Sequence, residues 1–353
     1  MTTLTAEPSR LERFTASGVF TVAAQEVRIR IRAGRWRWLL AIWTAVVIGF
    51  AVLLRLGLAG TDSVNSSNPA GPPLFGGTLL FVLGLALLVV PALTAQSVNG
   101  DRERGTLATL QVTRLSASEI GLGKLMAAWG AALIFLALTL PVIVWAMIEG
   151  GLPFLNVVVS LLVVSLLLGV VSAVSQAWSA LFARSITSAL VSYLTVFALT
   201  IGTLIAFGLA TALTTEARTF TYTDNGEDQT YTEQQARTDR TWPLLAPNPF
   251  VVLADAAPRL PERHDPVTGE PLGRPLDPLG SLGDSVRDAR RGPPDSQPAT
   301  EGLNVAPTAP EQPGPIWPWG LGFDVALGVG AAVITVRRLR MPVHKVGRGV
   351  RIA

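Results

Sequence analysis

Six long apolar runs, separated by polar stretches, form the main pattern along this chain. Each run approaches the roughly 20 residues that a helix needs to cross a bilayer. The predicted spans are Trp38–Leu58, Leu74–Ala95, Leu125–Ile148, Leu155–Phe182, Leu190–Leu213 and Ile316–Val336. This pattern predicts an all-α polytopic membrane protein with about six transmembrane helices.

A shorter amphipathic pattern precedes the first span. Phe20, Ala24, Val27 and Ile31 recur at helical spacing, with arginines on the other faces. Such a helix favours the membrane interface, where its arginines reach anionic headgroups. We therefore interpret residues 1–37 as a polar tail and an interfacial helix. Arginines also bind nucleic acid, but the span that follows directly favours lipid as the partner and argues against nucleic acid.

The composition agrees with a membrane protein, since 49% of the residues are hydrophobic and only 15% are charged. The mean hydropathy is +0.44. The chain has no cysteine, which excludes disulfides, thiol catalysis and thiolate metal sites. Its basic residues are almost all arginine, with lysine only at positions 124 and 345, which favours a bacterial source.

The distribution of basic residues orients the predicted spans. Residues 1–37 carry seven arginines, residues 96–124 carry four basic residues and residues 337–353 carry six. The loops Ala59–Pro73 and Glu149–Phe154 carry none. Because cytoplasmic loops are enriched in Lys and Arg, we expect both termini and the loop 96–124 to be cytoplasmic, in a bacterial plasma membrane.

Residues 214–315 should then form a long external loop, with nine arginines and sixteen acidic residues. Long segments cross the membrane largely regardless of their charge. After Ala256 the loop is dense in Pro, Gly and Asp, and we expect it to be mostly disordered because it has few large apolar residues. Before that point, Thr241–Ala256 is apolar and interrupted by prolines. It is either a short hairpin or re-entrant piece, or an ordinary loop at the headgroups.

Three residues within the spans are candidates for a pathway or gate, and a fourth is a charged residue in an apolar span. Pro91 and Pro141 should each kink a helix, either for packing or as a gate hinge. Asp324 lies about two turns into the last span. Its carboxylate either faces the bundle interior and contacts substrate or a partner helix, or reaches outward because Gly320 and Gly322 delay the helix start. Arg55 is expected to extend its charge to the membrane surface.

The polar stretch Asn99–Lys124 lies between the second and third spans. Ser116 and Glu119 have the spacing of a capping box, which predicts that a helix starts there and runs into the third span. Leu107 and Leu110 are three residues apart and would give a short preceding helix one apolar edge. We interpret the stretch as a small helical hairpin that is fixed to a membrane helix and can transmit force from a soluble partner.

This stretch resembles the signature of type-2 ATP-binding-cassette export permeases. The matching residues are Glu103, Gly105, Thr106, Leu107, Leu110, Ser116, Glu119, Gly123 and Lys124. The chain departs from the family pattern at residues 112–116, where a proline often precedes the serine. The order of spans and the Asn-Pro-Phe element at residues 248–250 extend the resemblance over most of the chain.

The resemblance implies a permease subunit of an exporter, with the nine matching residues coupled to a separate ATPase subunit. ATP and Mg²⁺ would bind to that ATPase, and this chain would bind no cofactor. Two permeases, identical or different, would form the pathway between them and move substrate by alternating access. The apolar spans favour a hydrophobic or amphipathic cargo.

Two other classes of protein stay open: a membrane-embedded enzyme, and a passive channel or membrane anchor. An enzyme would need a catalytic cluster, and the predicted spans contain no histidine, cysteine or paired carboxylates. His264 and His344 have no partner at metal-ligand spacing. Gly121–Lys124 only superficially matches a phosphate-binding loop, because the preceding glycine and the following Ser or Thr are missing. Co-purification of an ATPase would separate all three classes.

Overall fold

The fold is a bundle of membrane-length helices. The computed structural model describes residues 15–32, 34–60, 69–103, 105, 115–224, 227–261, 263–264, 271–273, 275–293 and 314–340. Within these residues, six helical segments are long and apolar enough to cross a membrane. Spans one to six are Gly34–Ala59, Gly71–Glu103, Ala117–Ile148, Phe154–Leu181, Ser185–Leu213 and Trp317–Leu339. The chain is therefore an all-α, multi-pass membrane protein, and the predicted number of spans is confirmed.

The helices of the first five spans are preceded by one shorter helix. In chain order they are α1 (Ala16–Arg32), α2 (Gly34–Ala59), α3 (Gly71–Thr94), α4 (Asn99–Glu103), α5 (Ala117–Ala137), α6 (Leu140–Ile148), α7 (Phe154–Leu181), α8 (Ser185–Phe197) and α9 (Thr203–Leu213). A π-helical turn, Ala198–Gly202, joins α8 to α9 within span five. We call the end of the bundle that carries α4 and the start of α5 the loop side.

The opposite end of the bundle, the cap side, carries the elements between spans five and six, which together we call the cap. Strands β1 (Thr215–Asp224) and β2 (Glu227–Ala236) pair as an antiparallel hairpin. The elements that follow are α10 (Thr238–Thr241), a 3₁₀ turn (Trp242–Leu244), α11 (Pro249–Ala256), the short strands β3 (Arg263–His264) and β4 (Pro271–Gly273), and α12 (Pro278–Arg291). Span six is α13 (Trp317–Leu339).

Helices α3 and α7 lie at the centre of the bundle. Leu74 and Leu83 of α3 and Val164 and Leu167 of α7 are almost fully buried in one apolar cluster. Helix α7 packs against α3, α5, α8 and α13. Its buried small residues, among them Ser172, allow these helices to approach closely, as small residues do in membrane bundles.

The third span differs from its predicted course at its start and near its middle. Its helix begins at Ala117, as the capping box predicts, so the apolar-length segment starts ahead of Leu125, with the polar residues at its start buried by the protein itself. Its helix is interrupted at residues 138–139, between α5 and α6, and Pro141 occupies the first turn of α6. A proline is well tolerated there, since it lacks the N–H that a first turn cannot satisfy. The predicted distortion at Pro141 is therefore confirmed.

The amphipathic helix is confirmed as α1, which uses two different faces. Phe20 and Ile31, from the predicted apolar stripe, are 62% and 52% exposed. The neighbouring face carries Val19 and Val22, which are buried where α1 packs against α5. Helix α1 is thus bound to the bundle through one face and presents a second apolar face outward.

The prediction of disorder after Ala256 is wrong for residues 278–291. They form α12, which packs against α11 and α3, with Leu279 and Val286 buried. Asp277 caps this helix by accepting a hydrogen bond from the N–H of Leu279 at 3.2 Å. Gly292 follows the helix with a φ of 74°. Few apolar residues suffice to order α12, because they pack against the membrane bundle and the segment does not need a core of its own.

Candidate functional site

The candidate site is the loop junction, defined as residues 99–103, 105 and 115–124, where the polar stretch between spans two and three joins the bundle. The structure describes six residues of the predicted coupling set: Glu103, Gly105, Ser116, Glu119, Gly123 and Lys124. The other three, Thr106, Leu107 and Leu110, lie outside the described residues.

Gly105 follows α4 in a left-handed backbone conformation, with a φ of 69°. Its N–H donates a hydrogen bond to the carbonyl of Arg102 at 3.2 Å. A side chain is disfavoured in this conformation because its Cβ approaches the following carbonyl oxygen. Gly105 therefore allows a tight turn directly after α4.

The predicted capping box at the start of α5 is also confirmed. The Ser116 hydroxyl accepts a hydrogen bond from the N–H of Glu119 at 3.2 Å, and the Glu119 carboxylate accepts one from the N–H of Ser116 at 2.7 Å. The second oxygen of Glu119 accepts bonds from the N–H and the hydroxyl of Thr15. Glu119 therefore also holds the start of α1, a role that the local pattern did not reveal.

Gly123 allows α1 to approach α5 closely. A Cβ placed on Gly123 would lie 2.6 Å from the Cβ of Val22 and 2.8 Å from the carbonyl oxygen of Val19. Any side chain there would push the two helices apart. Gly123, which belongs to the predicted coupling set, is thus a position where two helices pack closely.

Lys124 joins three elements through its ammonium group. Its side chain is only 2% exposed, and its Nζ lies 2.5 Å from a carboxylate oxygen of Asp101 in α4. The same Nζ pairs with Glu26 of α1. Pairing of this kind offsets the free-energy cost of burying a charge. Lys124 therefore ties α5 to both α1 and α4 rather than facing a soluble partner.

Helix α4 is fixed to the loop-side ends of α7 and α8. Arg102 donates to the carbonyls of Ala180 and Phe182 at 3.3 and 3.4 Å, satisfying carbonyls at the end of α7. The hydroxyl of Ser179 accepts from the N–H groups of residues 98 and 99, each at 3.1 Å. Ser185, at the start of α8, donates to Glu103 at 2.6 Å.

The described coupling residues thus divide into two groups. Ser116, Glu119, Gly123 and Lys124 are buried, so they position the junction. Glu103 is exposed and Gly105 is partly exposed, next to residues 106–114. Reasoning from sequence missed the partner residues of the junction, chiefly Thr15, Glu26, Asp101, Arg102, Ser179 and Ser185. Only Asp101 and Arg102 gave a signal, since they stand in the same charged stretch.

Asp324, the candidate pathway residue, faces the interior of the bundle. It is 1% exposed, and within the described residues neither carboxylate oxygen has a hydrogen-bond partner. Gly320 and Gly328, one turn before and one turn after it, allow close approach of the cap and of α7. The alternative of an outward carboxylate is wrong, because α13 is already helical from Trp317.

The two prolines of the pathway prediction behave differently. Helix α3 continues through Pro91 and ends at Thr94. The N–H of Ala95 donates to the carbonyl of Pro91 at 2.8 Å, so regular hydrogen bonding resumes after the proline. Pro141 instead lies at the interruption between α5 and α6. Whether either position acts as a gate stays a prediction.

Arg55 forms an ion pair at the cap-side end of span one. Its Nε lies 2.9 Å from a carboxylate oxygen of Glu149, and Trp145 donates to the same oxygen at 3.2 Å. The pair joins the cap-side ends of spans one and three. Whether Arg55 also extends its charge to the membrane surface stays a prediction.

The cap is anchored by two buried polar residues that the sequence did not single out as a site. Asn248 caps α11 by accepting from the N–H of Phe250 at 2.9 Å. Asp255 accepts from the N–H groups of Ile316 and Trp317, at 2.6 and 2.7 Å, where span six begins. Arg287 of α12 donates to Asp255 at 2.5 Å. The segment Thr241–Ala256 is therefore a short helical element packed into the protein.

Within the described part of the chain, no group of three or more His, Cys, Asp or Glu side chains could hold a metal ion. No family model matches the chain, and no curated protein matches it significantly. The geometry of the loop junction and of the cap must therefore carry the functional argument.

Proposed function

We propose that this chain is the membrane-spanning permease subunit of an ATP-binding-cassette exporter. The observation that carries the proposal is the construction of the loop junction. Residues 106–114 connect α4 to α5 in sequence, and contacts of the partly buried Arg102 and the buried Lys124 tie both of these helices to the bundle. A push on the connecting loop would reach spans two, three and four together.

The direction of the proposed coupling follows from charge. The loop side carries the basic segments and is proposed to be cytoplasmic, with both termini, while the cap is external. ATP and Mg²⁺ would bind to a separate ATPase subunit, whose closure presses on the loop. Among the described coupling residues, the exposed Glu103 is available to such a partner. Residues 106–110 follow it closely in sequence and are proposed to bind the same partner.

A second permease and membrane lipid are the other proposed partners. Spans one and five have the most exposed apolar faces, with Leu53 at 70% and Leu209 at 63% exposure. These faces are available to lipid or to a second permease, identical or different. The pathway would lie toward the buried centre, which is mostly apolar but also holds polar side chains, among them Asp324, Ser172 and Gln176. A hydrophobic or amphipathic substrate fits such a lining best.

The test is affinity purification of the tagged chain from membranes of its host, followed by measurement of ATP hydrolysis. We expect a nucleotide-binding subunit to co-purify and the assembly to hydrolyse ATP in a vanadate-sensitive manner. A chain that purifies without any ATPase, and without ATP hydrolysis, would instead favour a membrane enzyme or a passive channel or anchor.

A further inference from the structure

Span five contains one irregular turn, and it lies midway along the span. At Ala198–Gly202 the helix is π-helical, and the N–H of Thr203 donates to the carbonyl of Ala198 instead of that of Leu199. Such a turn inserts one extra residue and interrupts the regular ladder. It divides span five into a loop-side half, α8, and a cap-side half, α9.

Asn248 of the cap binds to this turn. Its side-chain amide donates to the carbonyl of Thr200 at 2.7 Å and lies 2.9 Å from the hydroxyl oxygen of Thr203. The residue is only 1% exposed, and its own carbonyl oxygen caps α11. The oxygen of this buried amide is therefore bonded within the cap, and its nitrogen is bonded to span five.

The cap-side half of span five has few other attachments. No residue of the π-helical turn or of α9 is buried. The hydroxyl of Thr211 is hydrogen-bonded to that of Thr241 at 2.8 Å, and Phe207 packs partly against Leu245 and its neighbours. Within the described residues, Asn248 and Thr241 are thus the two buried polar residues of the cap that are bonded to this largely exposed half-helix, and Asn248 is the one that binds at the π-helical turn.

The other side of the same cap is fixed to span six. Asp255 binds the first N–H groups of α13. A Cβ on Gly320 would lie only 2.0 Å from the carbonyl oxygen of Ala246, so α13 and the cap are in close contact. The cap therefore contacts both spans, so a displacement of the cap-side half of span five relative to the cap would also change its position relative to span six.

We propose that Asn248 is a positioning residue that latches the cap-side half of span five to the cap, with the π-helical turn as the hinge. When Asn248 loses its bonds to Thr200 in the turn and to Thr203 at the start of α9, α9 swings relative to the cap while α8 stays packed on α7. The use of this movement to open an export pathway rests on the proposed function, but the latch itself is a property of this chain alone.

The test measures spin-label distances in the purified full chain in lipid nanodiscs. The chain has no cysteine, so pairs of labels can be placed without removing native thiols. One pair, Leu209→Cys with Trp319→Cys, uses two exposed positions and reports on the cap-side half. A reference pair, Leu190→Cys with Ile334→Cys, reports on the loop-side half.

The decisive variant is Asn248→Ser. Serine keeps a good helix cap for α11, but its side chain is too short to reach span five. We expect Asn248→Ser and Asn248→Ala to broaden the first distance distribution to the same extent and to leave the reference pair unchanged. Thr203→Val, which removes one of the two acceptors, should broaden it less.

Asn156→Ala is the matched control. Asn156 is a buried asparagine whose amide donates to the carbonyl of Pro258 at 2.6 Å on the same cap, without a bond to span five. Its loss should leave both distributions unchanged. A wild-type distribution in Asn248→Ser would overturn the latch, as would broadening confined to Asn248→Ala, which would assign the effect to capping of α11. Both outcomes are independent of whether an ATPase binds.

Discussion

At the scale of single residues, the loop junction depends on side chains that each join two or three elements. Glu119 joins the start of α5 to the start of α1, and Lys124 joins α5 to α1 and α4. Because these groups are buried, their contribution to the stability of the folded protein depends on whether their charges are paired. The junction should therefore be sensitive to the loss of one partner.

Lys124→Met is predicted to destabilise the permease, since it removes the cation that lies between Asp101 and Glu26. Breaking a buried ion pair by removing one partner typically costs on the order of 3 kcal/mol. The measurement is the apparent melting temperature of the detergent-solubilised chain. Lys345→Met, at the only other lysine, is the control and should leave it unchanged. Equal melting temperatures for both variants would contradict a structural role for Lys124.

The residue roles that sequence could predict are the local ones. The capping box needs only the spacing of Ser116 and Glu119, and the turn at Gly105 needs only a glycine after a short helix. The pairing of Lys124 with Glu26 spans 98 positions and depends on how α1 packs. Such contacts follow from tertiary structure, which no local pattern contains.

At the scale of elements, the six spans were predictable because hydrophobic length alone specifies them. The burial of polar residues at the start of span three was not predictable, because a residue such as Glu119 is buried through its contacts with α1. Helix α12 was missed although its signals are local: Asp277 as cap, Pro278 in the first turn, and Gly292 after the end. The Pro-, Gly- and Asp-rich composition of the surrounding segment predicts disorder and is at odds with these local signals.

Removal of residues 296–312 is predicted to leave the amount of folded protein in the membrane unchanged. Arg290 donates to the carbonyls of Gly314 and Pro315 at 2.8 and 2.9 Å, so a short Gly-Ser linker can join the two flanks. Removal of 278–291 with the same linker should instead lower that amount, because α12 covers buried residues of α3 and α11. Membrane fractionation and size-exclusion chromatography measure both variants. Equal loss in the two deletions would show that the first segment is also structural.

At the scale of the whole molecule, the cap and the loop junction lie at opposite ends of the bundle. Alternation of six spans places the residues after α13 on the same side as α1 and the loop junction. Basic residues favour the cytoplasm for that side.

A reporter fused after Val350 is therefore predicted to be cytoplasmic, and one inserted near Pro293 external. Alkaline phosphatase and green fluorescent protein fusions in a bacterial host report the two sides. Finding both reporters on one side of the membrane would remove the six-span topology, and the reverse arrangement would place the loop junction out of reach of a cytoplasmic ATPase.

The most direct test of the central claim is the double variant Leu107→Ala with Leu110→Ala. If these leucines fill an apolar groove on an ATPase, truncating buried anchors of this kind typically costs on the order of 2 kcal/mol or more. The matched control is Ile186→Ala with Leu190→Ala, which truncates two exposed apolar residues of α8, 84% and 66% exposed. The measurement is recovery of the ATPase with the tagged permease from solubilised membranes, at equal permease levels. The account predicts strongly reduced recovery and transport for the loop variant and neither for the control; wild-type recovery and transport in the loop variant would contradict it.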